Sequence, residues 1–296
     1  MIRQLNDDEV RALHYELLMK DIITAAEKLP PFPDVVWKVM SLLRRTAPIS
    51  EIEAVIKYDP MITSRIIALS QSVYYGRRYD VGSLRDAILV LGDQKLMQVL
   101  MTACALRYFQ GEKSGRASSE RKLWKHSVAT AIMSELVARR LKHSKVLTIY
   151  TAGLLHDIGK IVLDLYARIY LGASLRQIEE RDTQSIAAER RALGIDHQEL
   201  GEKIARRWRF PQDVTAAIGR HHSPKPDASK EDVATAIYVA DRIVRTLEED
   251  SAGTEPFDPE KDAAFVKLGI TPRIIEGLQA NLSEALSGVG QLLSTA

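Results

Sequence analysis

Apolar residues return at three- and four-residue intervals along almost the whole chain, as in Val10, Leu13 and Leu17 and again in Ile49, Ile52 and Ile56. This is the period of a helix with one buried face, and strictly alternating apolar and polar stretches are absent, so the pattern predicts an all-α protein. Start signals mark the helices: Asp7 or Asp8 ahead of the first, Ser50 with Glu53 as a capping box, and Thr271 before Pro272. Leu29-Pro30-Pro31-Phe32-Pro33 ends the first helix, while 111–119 is a polar connection between apolar segments. Further loops are expected at 223–229 and 250–256. The expected organisation is an N-terminal helix over 1–20, a helical body over 21–247 divided into 21–110 and 120–247, and a C-terminal helical segment over 260–296.

Composition narrows the function classes. The 296 residues are 46% hydrophobic and 27% charged, enough for a large core and unlike a disordered chain. Lys and Arg number 41 against 39 Asp and Glu, and a net charge of +2 supplies no field for a phosphate backbone, so no nucleic-acid partner is expected. The N-terminus lacks a basic-then-apolar leader, and no apolar run approaches the ~18 residues of a membrane span. A cytoplasmic protein without membrane association is the expectation. The one cysteine, Cys104, lies in an apolar run and reads as a buried thiol. No glycine-rich nucleotide loop, serine-nucleophile elbow or zinc-finger cysteine pair is present.

The strongest local signal is Leu154-Leu155-His156-Asp157-Ile158-Gly159-Lys160, a histidine and an aspartate side by side in an apolar helical segment. On a helix the two lie ~100° apart and can reach one ion, and imidazole with carboxylate suits a divalent transition metal. Without a metal, His156 would bond a carbonyl and Asp157 would pair with Lys160. His221 and His222 close an expected helix from Pro211, where they either meet the helix dipole as cations or serve as ligands. His126 shares a face with Leu123, Thr130, Met133 and Val137, and so points inward as a core histidine or a completing ligand. Asp241 lies in the stripe of Ile237, Ala240, Val244 and Leu247, where a carboxylate needs Arg242, Arg245 or a metal. His197 follows Asp196, an N-cap with Glu199 as its box partner, and on its own reads as a surface residue.

In this order, His126, His156-Asp157, His197 with Gly201 four later, His221-His222 and Asp241 resemble the ligand set of the HD phosphohydrolase superfamily. Upstream, Leu29-Pro30-Pro31-Phe32-Pro33, Tyr58-Asp59-Pro60-Met61-Ile62-Thr63, Ser72-Val73-Tyr74-Tyr75-Gly76 and Ala87-Ile88-Leu89-Val90-Leu91-Gly92 resemble its HDOD branch, over roughly residues 21–247. The resemblance implies an HD-type helical bundle with an N-terminal helical subdomain and a C-terminal helical appendage. It also implies a regulatory or output role in bacterial signalling, with a protein partner. The cofactor it implies is a divalent transition metal, iron or manganese, in a site able to hold two ions. Carried over, His126, His156, Asp157 and Asp241 would hold one ion and Asp157, His197, His221 and His222 the other, as in HD-GYP relatives that hydrolyse cyclic dinucleotides.

Three positions depart from those patterns. No Gly-Tyr-Pro follows His221-His222, Lys122 stands where three-metal relatives carry an acid, and Gln71 stands where the family often has asparagine. Two functions follow: a signalling module whose metal is structural, or a metal-dependent phosphohydrolase acting on a cyclic dinucleotide. In the second, Asp157 and Lys160 would be catalytic. A nucleotide or phosphate ligand is compatible with either.

Overall fold

The computed structural model describes residues 7–72, 74, 81–109, 117–172, 185–224, 231–248 and 257–288, and every regular element among them is a helix. The connection at 111–116, most of the loop at 223–229 and the loop at 250–256 lie outside the described residues. The upstream half comprises α1 (Asp7–Lys28), α2 (Asp34–Arg44), α3 (Ile49–Ile56), α4 (Pro60–Ser70) and α5 (Leu84–Phe109). The second half comprises α6 (Ala117–Arg140), α7 (Val146–Leu155), α8 (Ile158–Leu171), α9 (Ser185–Leu193), α10 (His197–Arg207), α11 (Gln212–Ile218) and α12 (Val233–Arg245). Two last helices, α13 (Ala263–Leu268) and α14 (Pro272–Gly288), follow, and α14 packs back on α6 and α12.

Local chemistry explains most boundaries. The prolines after Lys28 lack amide donors and stop α1. Asp59 caps α4, its carboxylate accepting from the amides of Met61 and Ile62 at 3.0 Å with Pro60 in the first turn, so this part of the Tyr58 to Thr63 motif is a helix start. Gly92 has φ 62°, which kinks α5 in a conformation that costs a glycine little.

Two expectations differ. Helix α3 starts at Ile49 behind Pro48, leaving Ser50 inside the first turn, and Glu53 is drawn to Arg85 at 2.6 Å instead of closing a capping box. In α1 the buried row is Leu18, Ile22 and Ala26, while Leu13 and Leu17 are 45% and 53% exposed. The helix docks on α8, α9 and α10 through the i, i+4 row that faces them.

Helices Leu84–Phe109 and Val146–Leu171, the latter spanning α7 and α8, are long and apolar enough by composition to cross a membrane, but 67% and 72% of their apolar windows are buried inside the protein. Their apolarity forms the core: α5 packs against α2, α3 and α4 on one side and α6 and α7 on the other. Cys104 is buried there, and burial pushes its thiol up to about 12.

Phe32, in the proline segment, bolts the two halves together. Its ring lies 5.9 Å from Tyr108, 5.5 Å from Trp208 and 5.1 Å from Phe210, and the Tyr108 hydroxyl donates to the Pro31 carbonyl at 2.8 Å. Phe32→Ala is expected to cost about 3–5 kcal/mol, the usual loss for truncating a fully buried phenylalanine. Urea titration of the variant checks this, and a cost under ~1 kcal/mol would show that the halves are held elsewhere.

A second tie joins Tyr74 to α6. Buried Glu135 accepts from the Tyr74 hydroxyl, from Arg139 at 2.7 Å and from Lys95 at 3.5 Å. Burial opposes its charge, but Lys95, Tyr74 and Arg139 together outweigh it and hold the carboxyl below its ordinary pKa.

Candidate metal centre

The expectation of one helix running through His156-Asp157 gives way to a break at the pair. Helix α7 ends at Leu155, the chain turns through His156 and Asp157, and α8 begins at Ile158. This break aims both side chains inward, and both are buried. Gly159 makes the arrangement possible: a Cβ there would stand 2.2 Å from the His197 carbonyl oxygen, so only a bare backbone lets α8 touch the start of α10. Asp196 caps α10, accepting from the Glu199 amide at 2.9 Å, which fixes His197 as its first residue.

Helix α11 stops at Ile218, four residues before the expected end, and His221 and His222 lie in the turns that follow. Their side chains return to the same centre. All seven expected residues come together in two groups, His126 with His156 and Asp241, and Asp157 with His197, His221 and His222. Within each group one nitrogen or oxygen per residue lies within 4.8 Å of the others.

Asp157 sits between the groups. Its Oδ1 is 3.3 Å from His197 Nε2 and 3.7 Å from His221 Nε2, while Oδ2 is 3.4 Å from His156 Nε2, 3.7 Å from His126 Nε2 and 3.2 Å from Lys160 Nζ. Yet both oxygens are buried and neither has a hydrogen-bond partner of good geometry. Lys160 is its one ammonium neighbour and the remaining contacts are imidazole nitrogens, and a carboxylate this deeply buried is costly unless further cationic or hydrogen-bonding partners complete it.

The imidazoles carry the same message. Nδ1 of His156 faces the Gly153 carbonyl and Nδ1 of His221 faces the Ile218 carbonyl, each at 2.7 Å. A carbonyl only accepts, so the proton sits on Nδ1 and the Nε2 lone pair points into the centre. There Nε2 atoms crowd together: His126 and His156 at 3.2 Å, His197 and His221 at 3.2 Å, His197 and His222 at 3.1 Å. Facing lone pairs at that distance repel unless a proton or a metal lies among them. Imidazole nitrogen with carboxylate oxygen is a donor set for divalent first-row metals, and these residues fit one.

Charge states follow from burial and neighbours. Burial pushes His221 down to about 4 and also lowers His222, so both are neutral at pH 7 and do not meet the helix dipole as cations. Burial works against a charged His126, but Asp241 and Glu248 outweigh it and push the ring up to about 9. Burial likewise opposes ionised Asp157 and Asp241, yet His156 and Lys160 hold the first, and Arg245 and His126 hold the second, well below the ordinary carboxylate range. Asp241 thus has a protein cation as well: Arg245 Nε donates to its two oxygens at 3.0 and 2.9 Å.

Sequence reasoning missed the outer carboxylates. Glu189 on α9 is fully buried and accepts from His197 Nδ1 at 2.7 Å and from the His197 amide at 2.7 Å. Glu248 lies 2.8 Å from His126 Nδ1. Glu189 stands in Ala187-Ala188-Glu189-Arg190-Arg191, which reads as a charged surface turn; the alanines on its N-terminal side are the one local hint of burial. A carboxylate behind a ligating histidine fixes the tautomer and raises its basicity, so Glu189→Gln is expected to weaken metal binding about 10–100-fold. Competition with a chelator of known affinity measures it, and an unchanged constant would make Glu189 a folding residue only.

An all-helical protein with a buried histidine–aspartate centre is thus defined by fold and site. The HDOD domain model matches residues 29–224, and the chain belongs to that family. Its fold is shared by an HDOD domain protein of unknown function from Geobacter sulfurreducens, with TM-score 0.71, 23% identity and coverage of 95% of this chain and 98% of that one. A candidate phosphohydrolase from Shewanella amazonensis aligns with TM-score 0.66 and 20% identity over 93% and 97% of the two chains. A candidate signal transduction protein from Marinobacter aquaeolei aligns with TM-score 0.68 and 20% identity over 95% and 66%. At these identities the likeness establishes the fold. An uncharacterized protein of Treponema pallidum is 22% identical over 253 residues, 82% of this chain, and the chain spans about half (47%) of that relative's length.

Proposed function

We propose that this chain is a cytoplasmic signal-transduction module of the HDOD family that holds a pair of divalent transition-metal ions, iron or manganese. His126, His156, Asp157 and Asp241 would hold one ion, and Asp157, His197, His221 and His222 the other. The observation that carries this reading is the buried Asp157 carboxylate, in contact with Lys160 and set between the inward-facing Nε2 atoms of His156 and His221, whose Nδ1 positions are already committed. The upstream half would bind the partner protein, presenting Tyr58 and Met61 at 81% and 59% exposure beside the start of α4. Metal analysis of protein purified without chelator is the test.

A second reading, a metal-dependent phosphohydrolase acting on a cyclic dinucleotide, is favoured by Lys160, whose ammonium stands 3.2 Å from Asp157 at the edge of the centre. When bound, a metal pair supplies Lewis-acid polarisation of a phosphoryl group and acidifies water. Turnover also needs the substrate held in line, and a misplacement of ~1 Å can cost about a hundredfold. The Gly-Tyr-Pro segment that would support it is absent after His222. Hydrolysis of cyclic di-GMP by metal-loaded protein is therefore expected to match that of a His156→Ala, Asp157→Ala double variant. Robust turnover that vanishes in the double variant would make this chain an enzyme.

A further inference from the structure

The geometry points to a second ligand site, a cavity of about 400 Å³ between the two halves that takes a small planar aromatic molecule. Its volume lies in the range of small-molecule pockets, roughly 300–1,000 Å³. None of the seven residues of the metal centre lines it. The floor is made of buried Met97, Met101, Phe210 and Val214, with the Thr151 hydroxyl group as its polar side chain. No charged side chain is at that depth, so the buried part of a ligand must be uncharged.

The walls select a flat ring. Trp37 and Phe210 meet edge to face, with centroids 5.0 Å apart and planes at 70°, and present aromatic surface on one side. Met40, Met97 and Met101 present three unbranched thioethers, which adapt to a ring and make favourable sulfur contacts with its edge. At the mouth stand Arg44 and Asp93, both exposed. Asp93 reaches that place because the kink at Gly92 interrupts α5 immediately before it. The mouth can thus meet a polar head of either sign, while the ring enters the apolar floor.

Position gives the site its interest. Leu147, Thr148 and Thr151 lie on α7, which leads into His156, and Pro211 and Val214 lie at the start of α11, after which His221 and His222 follow. An occupant would touch both elements.

The test is calorimetric titration of the full chain with indole, indole-3-acetate and tryptamine, which share a ring and differ in head charge. At least one is expected to bind one to one, with cyclohexylacetate failing to do so. Leu43→Trp on α2 and Thr148→Trp on α7 put a large ring into the cavity and are expected to abolish binding at unchanged melting temperature; either suffices if the other unfolds. In the unsubstituted protein, methyl NMR shifts on binding are expected at Met40, Met97 and Met101 among the seven methionines. Absence of binding by all three probes, equal binding of cyclohexylacetate, binding retained in a folded filled variant, or shifts confined to other methionines would each overturn the assignment.

Discussion

Protein purified without chelator is expected to carry a first-row transition metal, and Asp157→Ala is expected to remove most of it. Asp157 is the residue placed to serve both groups, with one oxygen toward His197 and His221 and the other toward His156 and His126. His222→Ala removes one member of one group and should leave the His126, His156 and Asp241 group loaded. A bound ion stabilises the folded state by mass action, about 4 kcal/mol at a thousandfold excess over its dissociation constant. Added manganese or iron should therefore raise the melting temperature of the unsubstituted chain and leave that of Asp157→Ala unmoved. Elemental analysis near zero, with no uptake on adding either metal, would remove the metal from the proposed function. Asp157→Asn separates charge from shape: it keeps the volume but has no anion to bridge with, and should fail to load while remaining folded.

The helical class was legible because a period of three to four residues persists from α1 to α14, and the seven metal candidates were legible because their order resembles a family pattern. What lay outside the sequence was set by contacts between elements distant along the chain. Ser50 resembles a cap until Arg85, more than thirty residues away, claims Glu53. Glu189 resembles a surface acid until α9 is folded against His197. Gly219, which follows the end of α11 at Ile218, is packed so closely that a Cβ there would meet the Glu202 carboxylate at 2.4 Å, a contact between elements that the local sequence does not display. Periodicity likewise placed an apolar stripe on α1 but could not say which of two neighbouring rows would face α8 and α10; Leu18, Ile22 and Ala26 do.

Gly159→Ala and Gly277→Ala are expected to move stability in opposite directions. Both replace a helical glycine, and helix propensity alone favours alanine by roughly 0.5–1 kcal/mol at each. At Gly277, exposed on α14, a new Cβ meets nothing within 4 Å, so the gain should appear undiminished. At Gly159 the new Cβ would lie 2.2 Å from the His197 carbonyl oxygen, 2.9 Å from its carbon and 3.0 Å from the Gly201 amide nitrogen. These are backbone atoms at the start of α10 and cannot rotate aside, so α8 must shift away from α10. Overpacking of this kind costs about 1–3 kcal/mol, enough to reverse the propensity gain. The displacement also separates Asp157 from His197, now 3.3 Å apart, and should lower metal content beyond what lost stability explains. Urea titration and elemental analysis of the two variants check both parts. A Gly159→Ala protein as stable as Gly277→Ala and fully loaded with metal would show that the close approach of α8 to α10 does not build the centre.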